Sequence, residues 1–158
     1  MTKGACSTSD FPPLSEGEGL ARLVVCESTG GWAVTLRREL AGLGIRVYET
    51  RSVAQAWEML ASCPASFLVV ELSRTSLDAL LERMTWLERD YPLARVAVVA
   101  ERGLERCEVL MRAAGAVHFT TSPRQLSGMA RVATRHVQSA PRPRRSIADE
   151  IWASLPWR

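Results

Sequence analysis

The feature that most constrains the fold is a strict alternation of short apolar runs with stretches of helical spacing. The strand-like runs are Leu23-Val24-Val25, Ile45 to Tyr48, Phe67 to Val70, Val96 to Val99 and Val117 to Phe119. After each run, apolar residues recur every three or four positions, as on one face of a helix. Because parallel strands are joined by right-handed crossovers, five such units predict an α/β fold. We expect a five-stranded parallel sheet in a three-layer, doubly wound α/β/α sandwich.

The expected helices have local start and stop signals. Ser52 is the predicted N-cap of the second helix, Tyr91-Pro92 ends the third and Gly115 closes the fourth. Trp86 lies off the apolar stripe of the third helix, so we expect it to be exposed. The predicted core-facing residues include Trp32, Leu36, Leu40 and Leu43; Val53, Ala56, Trp57 and Leu60; Leu77, Leu80, Met84 and Leu87; Leu104, Cys107, Leu110 and Met111; Leu126, Met129, Val132 and Ala133.

Composition divides the chain into three parts. Residues 1–19 are rich in Ser, Gly, Pro and Glu and are expected to form a flexible leader. Residues 20–138 carry the alternating pattern and are the predicted domain. Residues 139–158 combine a Pro/Arg linker with a short tail containing two tryptophans. The prediction is therefore one domain with two terminal extensions.

Charge and cysteine content exclude several classes of function. Twenty Lys and Arg residues against 17 Asp and Glu leave a net charge of +3, and Lys3 is the only lysine, so arginine clusters are weak indicators of nucleic-acid binding. Cys6, Cys26, Cys63 and Cys107 lack metal-ligand spacing and are expected to be reduced thiols in a cytoplasm. No signal peptide or membrane-spanning run is recognisable.

Four motifs lie where the predicted strands end, the place where α/β folds carry their chemistry. They are LVVCE (Leu23 to Glu27), FLVVEL (Phe67 to Leu72), VAVVAE (Val96 to Glu101) and AGAVHFTTSP (Ala114 to Pro123). In this order they resemble the receiver domain of bacterial two-component response regulators, a flavodoxin-like fold, over about residues 21 to 138. The resemblance places Phe119 at the switch-aromatic position of that family.

The chain departs from the family at the positions that perform the chemistry. In receivers an acidic pair and a phosphoacceptor aspartate hold magnesium, while a Thr or Ser and a Lys bind the phosphoryl oxygens. The resemblance assigns Cys26 and Glu27 to the acidic pair, Glu71 to the phosphoacceptor, Ala100 to the Thr and Ser122 to the Lys. Of the metal ligands only Glu27 is kept, and we interpret Cys26 as an inert buried thiol.

Glu71 is therefore not expected to be phosphorylated. The extra methylene of glutamate advances its oxygens by roughly 1.5 Å, and a misplacement of about 1 Å can cost about 10²-fold in rate. Removal of one donor to a developing charge typically costs roughly 10²–10³-fold. Three interpretations of Glu71 stay open: a relic carboxylate bonded to local backbone, a fixed mimic of the phosphorylated state, or a residual metal or ligand site with Glu27.

The tail sequence SIADEIWASLPWR predicts a short amphipathic helix after the linker. Ile147, Ile151, Trp152 and Leu155 form one apolar stripe, and Trp157 follows Pro156. A helix this short is marginal alone, so it needs a surface to fold against. We predict a partner-binding segment, with docking on the chain's own domain, or disorder, as alternatives.

These observations predict a pseudo-receiver, a signalling protein without enzymatic activity or cofactor that acts through protein–protein contacts. The resemblance implies a contact face formed by the fourth helix, fifth strand and fifth helix, around Leu104 to Met111, Phe119 and Leu126 to Val137. Protein partners or self-association are expected there and at the tail, without a membrane or nucleic-acid role. The alternatives are an atypical receiver that still binds a divalent ion and is phosphorylated, and a flavodoxin-like ligand binder or enzyme using a crevice around Glu27, Glu49 and Glu71.

Overall fold

The computed structural model describes residues 20–142, which form five strands and five helices in alternation. The strands are β1 (Leu23–Cys26), β2 (Val47–Thr50), β3 (Phe67–Leu72), β4 (Arg95–Ala100) and β5 (Ala116–Thr120). The helices are α1 (Gly31–Glu39), α2 (Val53–Ser62), α3 (Leu77–Asp90), α4 (Glu108–Ala113) and α5 (Leu126–Ser139). One-turn 3₁₀ helices at Glu105–Cys107 and Pro123–Gln125 precede α4 and α5.

All strands are parallel and lie in the order β2-β1-β3-β4-β5. β1 and β3 are therefore neighbours, and their carboxyl ends lie side by side, with Cys26 opposite Val70. The predicted five-stranded α/β/α fold is confirmed. The change of winding direction at β1 and β3 makes their carboxyl ends the natural place for a site.

Two apolar cores lie on opposite faces of the sheet, because successive side chains of a strand point to opposite sides. On one face, residues such as Val24 and Leu68 pack against α2, α3 and α4. On the other, residues such as Leu23 and Val69 pack against α1 and α5. β1 and most of β3 are buried on both faces, which explains their continuous apolar sequences.

Several predicted boundaries are correct. The hydroxyl of Ser52 accepts a hydrogen bond from the backbone N–H of Gln55, so Ser52 caps α2 as expected. α3 ends at Asp90, directly before Tyr91. Gly115 follows α4 with a φ of 101°, a left-handed conformation that favours glycine over other residues. Trp86 is half exposed, also as expected.

Other expectations were wrong in detail. β2 begins at Val47, so Ile45 lies before the strand. α1 ends at Glu39, and Leu43, predicted to face the core, is 48% exposed in the turn that follows. Leu110 and Val132 are also exposed, although their spacing matched an apolar face. Apolar spacing identifies one face of a helix, but it does not show whether residues at the margin of that face, or beyond the end of the helix, reach the core.

Both terminal predictions fall outside the described residues. These are the flexible leader of residues 1–19 and the tail that contains Ile147, Ile151, Trp152, Leu155 and Trp157. Among the helices of residues 20–142, none has the length and apolar character to cross a membrane.

Candidate functional site at the carboxyl end of the sheet

Glu71 is the penultimate residue of β3, and its carboxylate is bound to the loop that follows β1. One oxygen, Oε2, accepts hydrogen bonds from both the backbone N–H and the hydroxyl of Ser28, each at 2.7 Å. These contacts join β3 to the β1–α1 loop, although Ser28 and Glu71 are far apart in the sequence. The predicted phosphoacceptor position is thus at the expected edge, but its carboxylate already has donors within the chain.

Glu27 uses its carboxylate to cap α1. Its two oxygens accept hydrogen bonds from the backbone N–H groups of Trp32 at 2.8 Å and Ala33 at 2.7 Å, in the first turn of the helix. The side chain is almost fully buried, with 2% of Glu27 exposed. Helix N-termini carry unpaired N–H groups and a partial positive charge, so this position stabilises a carboxylate. Glu27 thus points into the fold as a structural cap.

Cys26 ends β1 as a buried residue. Burial raises the pKa of its thiol, and the nearby carboxylates of Glu71 and Glu27 raise it further, whereas the Thr50 side chain acts in the opposite direction. A raised pKa keeps the sulfur in its protonated, weakly nucleophilic form. This supports the interpretation of Cys26 as a small apolar residue.

The resemblance to receivers raises the question of a magnesium ion at this edge, and the residues present do not fit one. Magnesium prefers oxygen ligands in nearly ideal octahedral geometry. Here both oxygens of Glu27 cap a helix, Oε2 of Glu71 is bound to Ser28, and Cys26 offers a protonated sulfur. Over residues 20–142 no group of three or more His, Cys, Asp or Glu side chains is arranged to hold a metal.

The two positions that would bind phosphoryl oxygens are occupied by unsuitable side chains. Ala100 ends β4 fully buried in the apolar core and has no hydroxyl. Ser122 accepts a hydrogen bond from the backbone N–H of Arg124 and caps the 3₁₀ turn before α5. The neighbouring hydroxyl of Thr120 is buried and bonded to Ser122 and Gln125. Of these five residues, only Arg124 carries a positive charge, and its side chain is exposed.

Consecutive residues of β5 face opposite sides of the sheet. Phe119 is buried and packs in the core shared with α2, α3 and α4. His118 is half-buried and lies beside Gly128 of α5. Burial, and secondarily the guanidinium of Arg112, lowers the pKa of His118. Phe119, which the resemblance assigns to the switch-aromatic position, therefore points into the core.

Arg51 is a cation at this edge that the sequence-based prediction missed. Its guanidinium donates to the backbone carbonyl of Glu27 at 3.3 Å and pairs with the carboxylate of Glu49 at 3.4 Å. Glu49 also pairs with Arg37 of α1. The sequence could have indicated Arg51, because it directly follows β2. The resemblance instead directed attention to position 122, where receivers have a lysine. Since Glu49 is paired with arginines and Glu27 caps α1, the three carboxylates of the predicted crevice have separate partners.

Structural comparison relates the chain to response regulators. It is similar to a response regulator from Thermotoga maritima, with a TM-score of 0.63 and 16% identity over 76% of this chain and 99% of that one. It is also similar to a CheY-like protein (tadZ) from Pseudomonas aeruginosa PAO1, with a TM-score of 0.56 and 24% identity over 72% and 98% of the two chains.

A third similar structure is that of the beryllofluoride-activated NtrC4 receiver domain dimer. Its TM-score is 0.59 and its identity 14%, over 73% of this chain and 98% of that one. No family model and no curated protein matches the sequence. The chain therefore has the receiver fold, as the motifs predicted, at identities that establish the fold alone.

Proposed function

We propose that this protein is a pseudo-receiver of a two-component-type system, located in the cytoplasm, which acts through protein contacts and without phosphotransfer. The observation that carries the proposal is the pair of hydrogen bonds from Ser28 to Glu71. A nucleophilic carboxylate attacks its phosphoryl donor in line through one oxygen, and hydrogen bonds to Oε2 of Glu71 restrict the direction in which the other oxygen can point. In this chain the carboxylate instead connects β3 to the β1–α1 loop.

The surroundings of Glu71 add a second argument against phosphotransfer. Phosphoryl transfer depends on neutralising the charge of the transferred oxygens. Ala100 offers no hydrogen bond, and Ser122 offers no charge. Arg51, beside the β1–α1 loop, pairs with Glu49. Because the loss of even one such donor costs roughly 10²–10³-fold in rate, the combined changes support an inactive site.

Among the three interpretations of Glu71, the contacts favour the relic carboxylate. Its partners are the backbone and hydroxyl of a neighbouring loop, as that interpretation requires. A mimic of phosphorylation would need a hydroxyl at position 100 to sense the charge, and Ala100 is buried in apolar surroundings. A residual metal site would need Glu27, whose oxygens cap α1.

The proposed contact face lies on α4, β5 and α5. β5 is at one end of the sheet, and the adjoining helices expose apolar side chains, with Val109 79% and Val132 42% exposed. Leu110 is also exposed on α4. Groups of exposed apolar side chains are typical of protein interfaces, and these three lie on the helices before and after β5. One similar structure is a receiver domain dimer, so self-association is a reasonable form of this contact.

Incubation with acetyl phosphate and magnesium, followed by intact mass measurement, tests the proposal. We expect no phosphoryl adduct on the wild-type chain. The matched control restores the receiver residues by Cys26→Asp, Glu71→Asp, Ala100→Thr and Ser122→Lys, with folding checked by circular dichroism. The restored variant is expected to gain a magnesium-dependent adduct. A stable adduct on wild-type Glu71 would show an atypical active receiver instead.

The contact face has a separate test. Val109→Arg and Val132→Arg place charges on the exposed apolar surface, and Arg102→Glu changes an exposed charge outside the elements of that face. We expect the first two changes to reduce self-association in sedimentation, or the capture of a protein partner, while Arg102→Glu leaves both unchanged. Equal behaviour of all three variants would remove this face from the proposal.

A further inference from the structure

A groove runs between the end of α1 and the length of α5. Its volume is about 610 Å³, and its lining includes Leu43, Ala130, Arg131, Thr134 and Arg135. Leu43, which apolar spacing placed in the core, is half exposed in this groove. Ala130 is buried and contributes to the floor. The groove therefore combines an apolar surface with arginines along its α5 side.

A second groove of about 660 Å³ continues the first at the end of α5. Leu43 and Gln138 line both. The second groove is also lined by Ala140, Pro141 and Arg142, the last described residues of the chain. Residues 143–158 therefore begin at one end of this continuous surface, which we call the α1–α5 groove.

Two exposed arginines of α5, Arg131 and Arg135, give this surface a positive charge. Arg131 and Arg135 lie one helical turn apart on α5. Within residues 20–142 neither forms an ion pair. Arg22, Arg46 and Arg142 line the second groove, and Glu39 is the one acidic residue among those lining the two grooves. A segment that pairs acidic with apolar side chains would complement this surface.

Residues 146–157 have this chemistry, whereas Arg144 and Arg145, which precede them, are positively charged. Asp149 and Glu150 are adjacent, and around them Ile147, Ile151 and Trp152 recur at the spacing of an apolar helix face. Three residues lie between Arg142 and Ser146, and the four steps from one Cα to the next span at most roughly 13–14 Å when extended. The distance along α5 from Ser139 back to Arg131 is about 12 Å at 1.5 Å per residue. A segment that folds back along α5 thus reaches both arginines.

We propose that residues 146–157 dock in cis in the α1–α5 groove. Their apolar stripe covers Leu43 and Ala130, and Asp149 and Glu150, at the two margins of the stripe, lie within electrostatic reach of Arg131 and Arg135. The docked tail would contact the end of α1 and the side of α5 that faces it. This proposal does not depend on whether the receiver site is inactive. Docking would keep the tryptophans of the tail covered until a partner competes for them.

Hydrogen exchange of the full-length chain, read by mass spectrometry on peptides from residues 143–158, tests this docking. We expect exchange at least tenfold slower than in an unstructured peptide of the same sequence. Arg131→Glu with Arg135→Glu, or Asp149→Arg with Glu150→Arg, should each speed the exchange several-fold. The variant with all four changes should recover the protection, because the charges again pair. Arg102→Glu with Arg124→Glu is the control and should have no effect.

Several results would overturn the proposal. One is exchange of the tail at the unstructured rate. Another is protection that grows with protein concentration together with dimerisation in sedimentation, which would indicate a second copy as the occupant. A third is protection insensitive to the arginine changes and to Leu43→Asp, which would place the tail elsewhere. Unchanged exchange in β3 peptides confirms that each variant is folded.

Discussion

The carboxylate of Glu71 accepts hydrogen bonds from both the N–H and the hydroxyl of Ser28, at 2.7 Å each, and so ties β3 to the loop after β1. The resemblance to receivers identified Glu71 as a site for chemistry, and the fold places it at the corresponding edge. Because Glu71 is bonded to Ser28, we expect it to contribute measurably to the stability of the folded protein.

Glu71→Ala is expected to lower the free energy of unfolding by about 1 kcal/mol, since hydrogen bonds to charged groups contribute about 1.5–3 kcal/mol when shielded and less when water can replace them. Ser28→Ala keeps the backbone bond and should cost less. Urea unfolding measures both, with the exposed Glu101→Ala as the control at the same edge. An unchanged midpoint for Glu71→Ala would contradict the proposed structural role.

Glu27→Ala is expected to cost more than Glu71→Ala. The change leaves the N–H groups of Trp32 and Ala33 without their acceptors inside the protein, where an unsatisfied group costs about 1–3 kcal/mol. A loss of about 2–3 kcal/mol in urea unfolding is the expected result. Glu39→Ala, at the opposite end of α1, is the matched control and should change stability by no more than about 0.5 kcal/mol.

His136 predicts a dependence of stability on pH. Burial, and to a smaller degree Arg95, lowers the pKa of His136, although its bond to the carbonyl of Ala65 opposes this. As the pH falls, the unfolded chain therefore binds a proton first, near its pKa of about 6.5, and the folded chain binds one only at a lower pH. Stability is fully present above that pH and falls as the pH drops through the lowered folded pKa.

The measurement for His136 is the free energy of unfolding between pH 7.5 and pH 5. Wild type should lose more stability over this range than His136→Gln, in which an amide can still donate to Ala65. The pKa of His118 is lowered as well, so His118→Gln in both backgrounds isolates the effect of His136. Equal pH slopes in the two proteins would exclude a contribution from His136.

The thiols should differ sharply in reactivity. Cys107 is partly exposed, whereas Cys26 and Cys63 are buried. In a Cys6→Ser background, we expect a thiol reagent to modify Cys107 quickly and the two buried thiols only at the rate of local opening. Denaturant should make all three react. Rapid modification of Cys26 in the folded protein would instead indicate an accessible, activated thiol.

The residues that sequence reasoning placed correctly are those whose signals are local. Ser52 caps the helix that immediately follows it, and Gly115 takes the left-handed turn that ends α4. The position of Glu71 also followed from the strand pattern, because parallel strands end at a common edge. Its partner did not, since Ser28 lies 43 residues away and the contact exists only once β1 and β3 are neighbours.

The functions of Glu27 and Arg51 could not be obtained in the same way. A carboxylate at the end of a strand can point outward or turn back to a helix, and Glu27 does the latter because α1 begins directly above it. Arg51 has a long side chain whose direction depends on Glu49 and the β1–α1 loop. Leu43 was misplaced because α1 ends earlier than its apolar spacing suggested.

The backbone of β5 has a protected outer edge. Arg112 of α4 donates to the carbonyl of Val117 at 2.8 Å and is itself held by Glu108 at 3.4 Å. An acceptor that another chain would need for pairing is thus already occupied, and strand edges covered by charged side chains resist sheet extension. This contact favours the side chains of α4 and α5 over strand addition to β5 as the means by which a partner meets this side of the molecule.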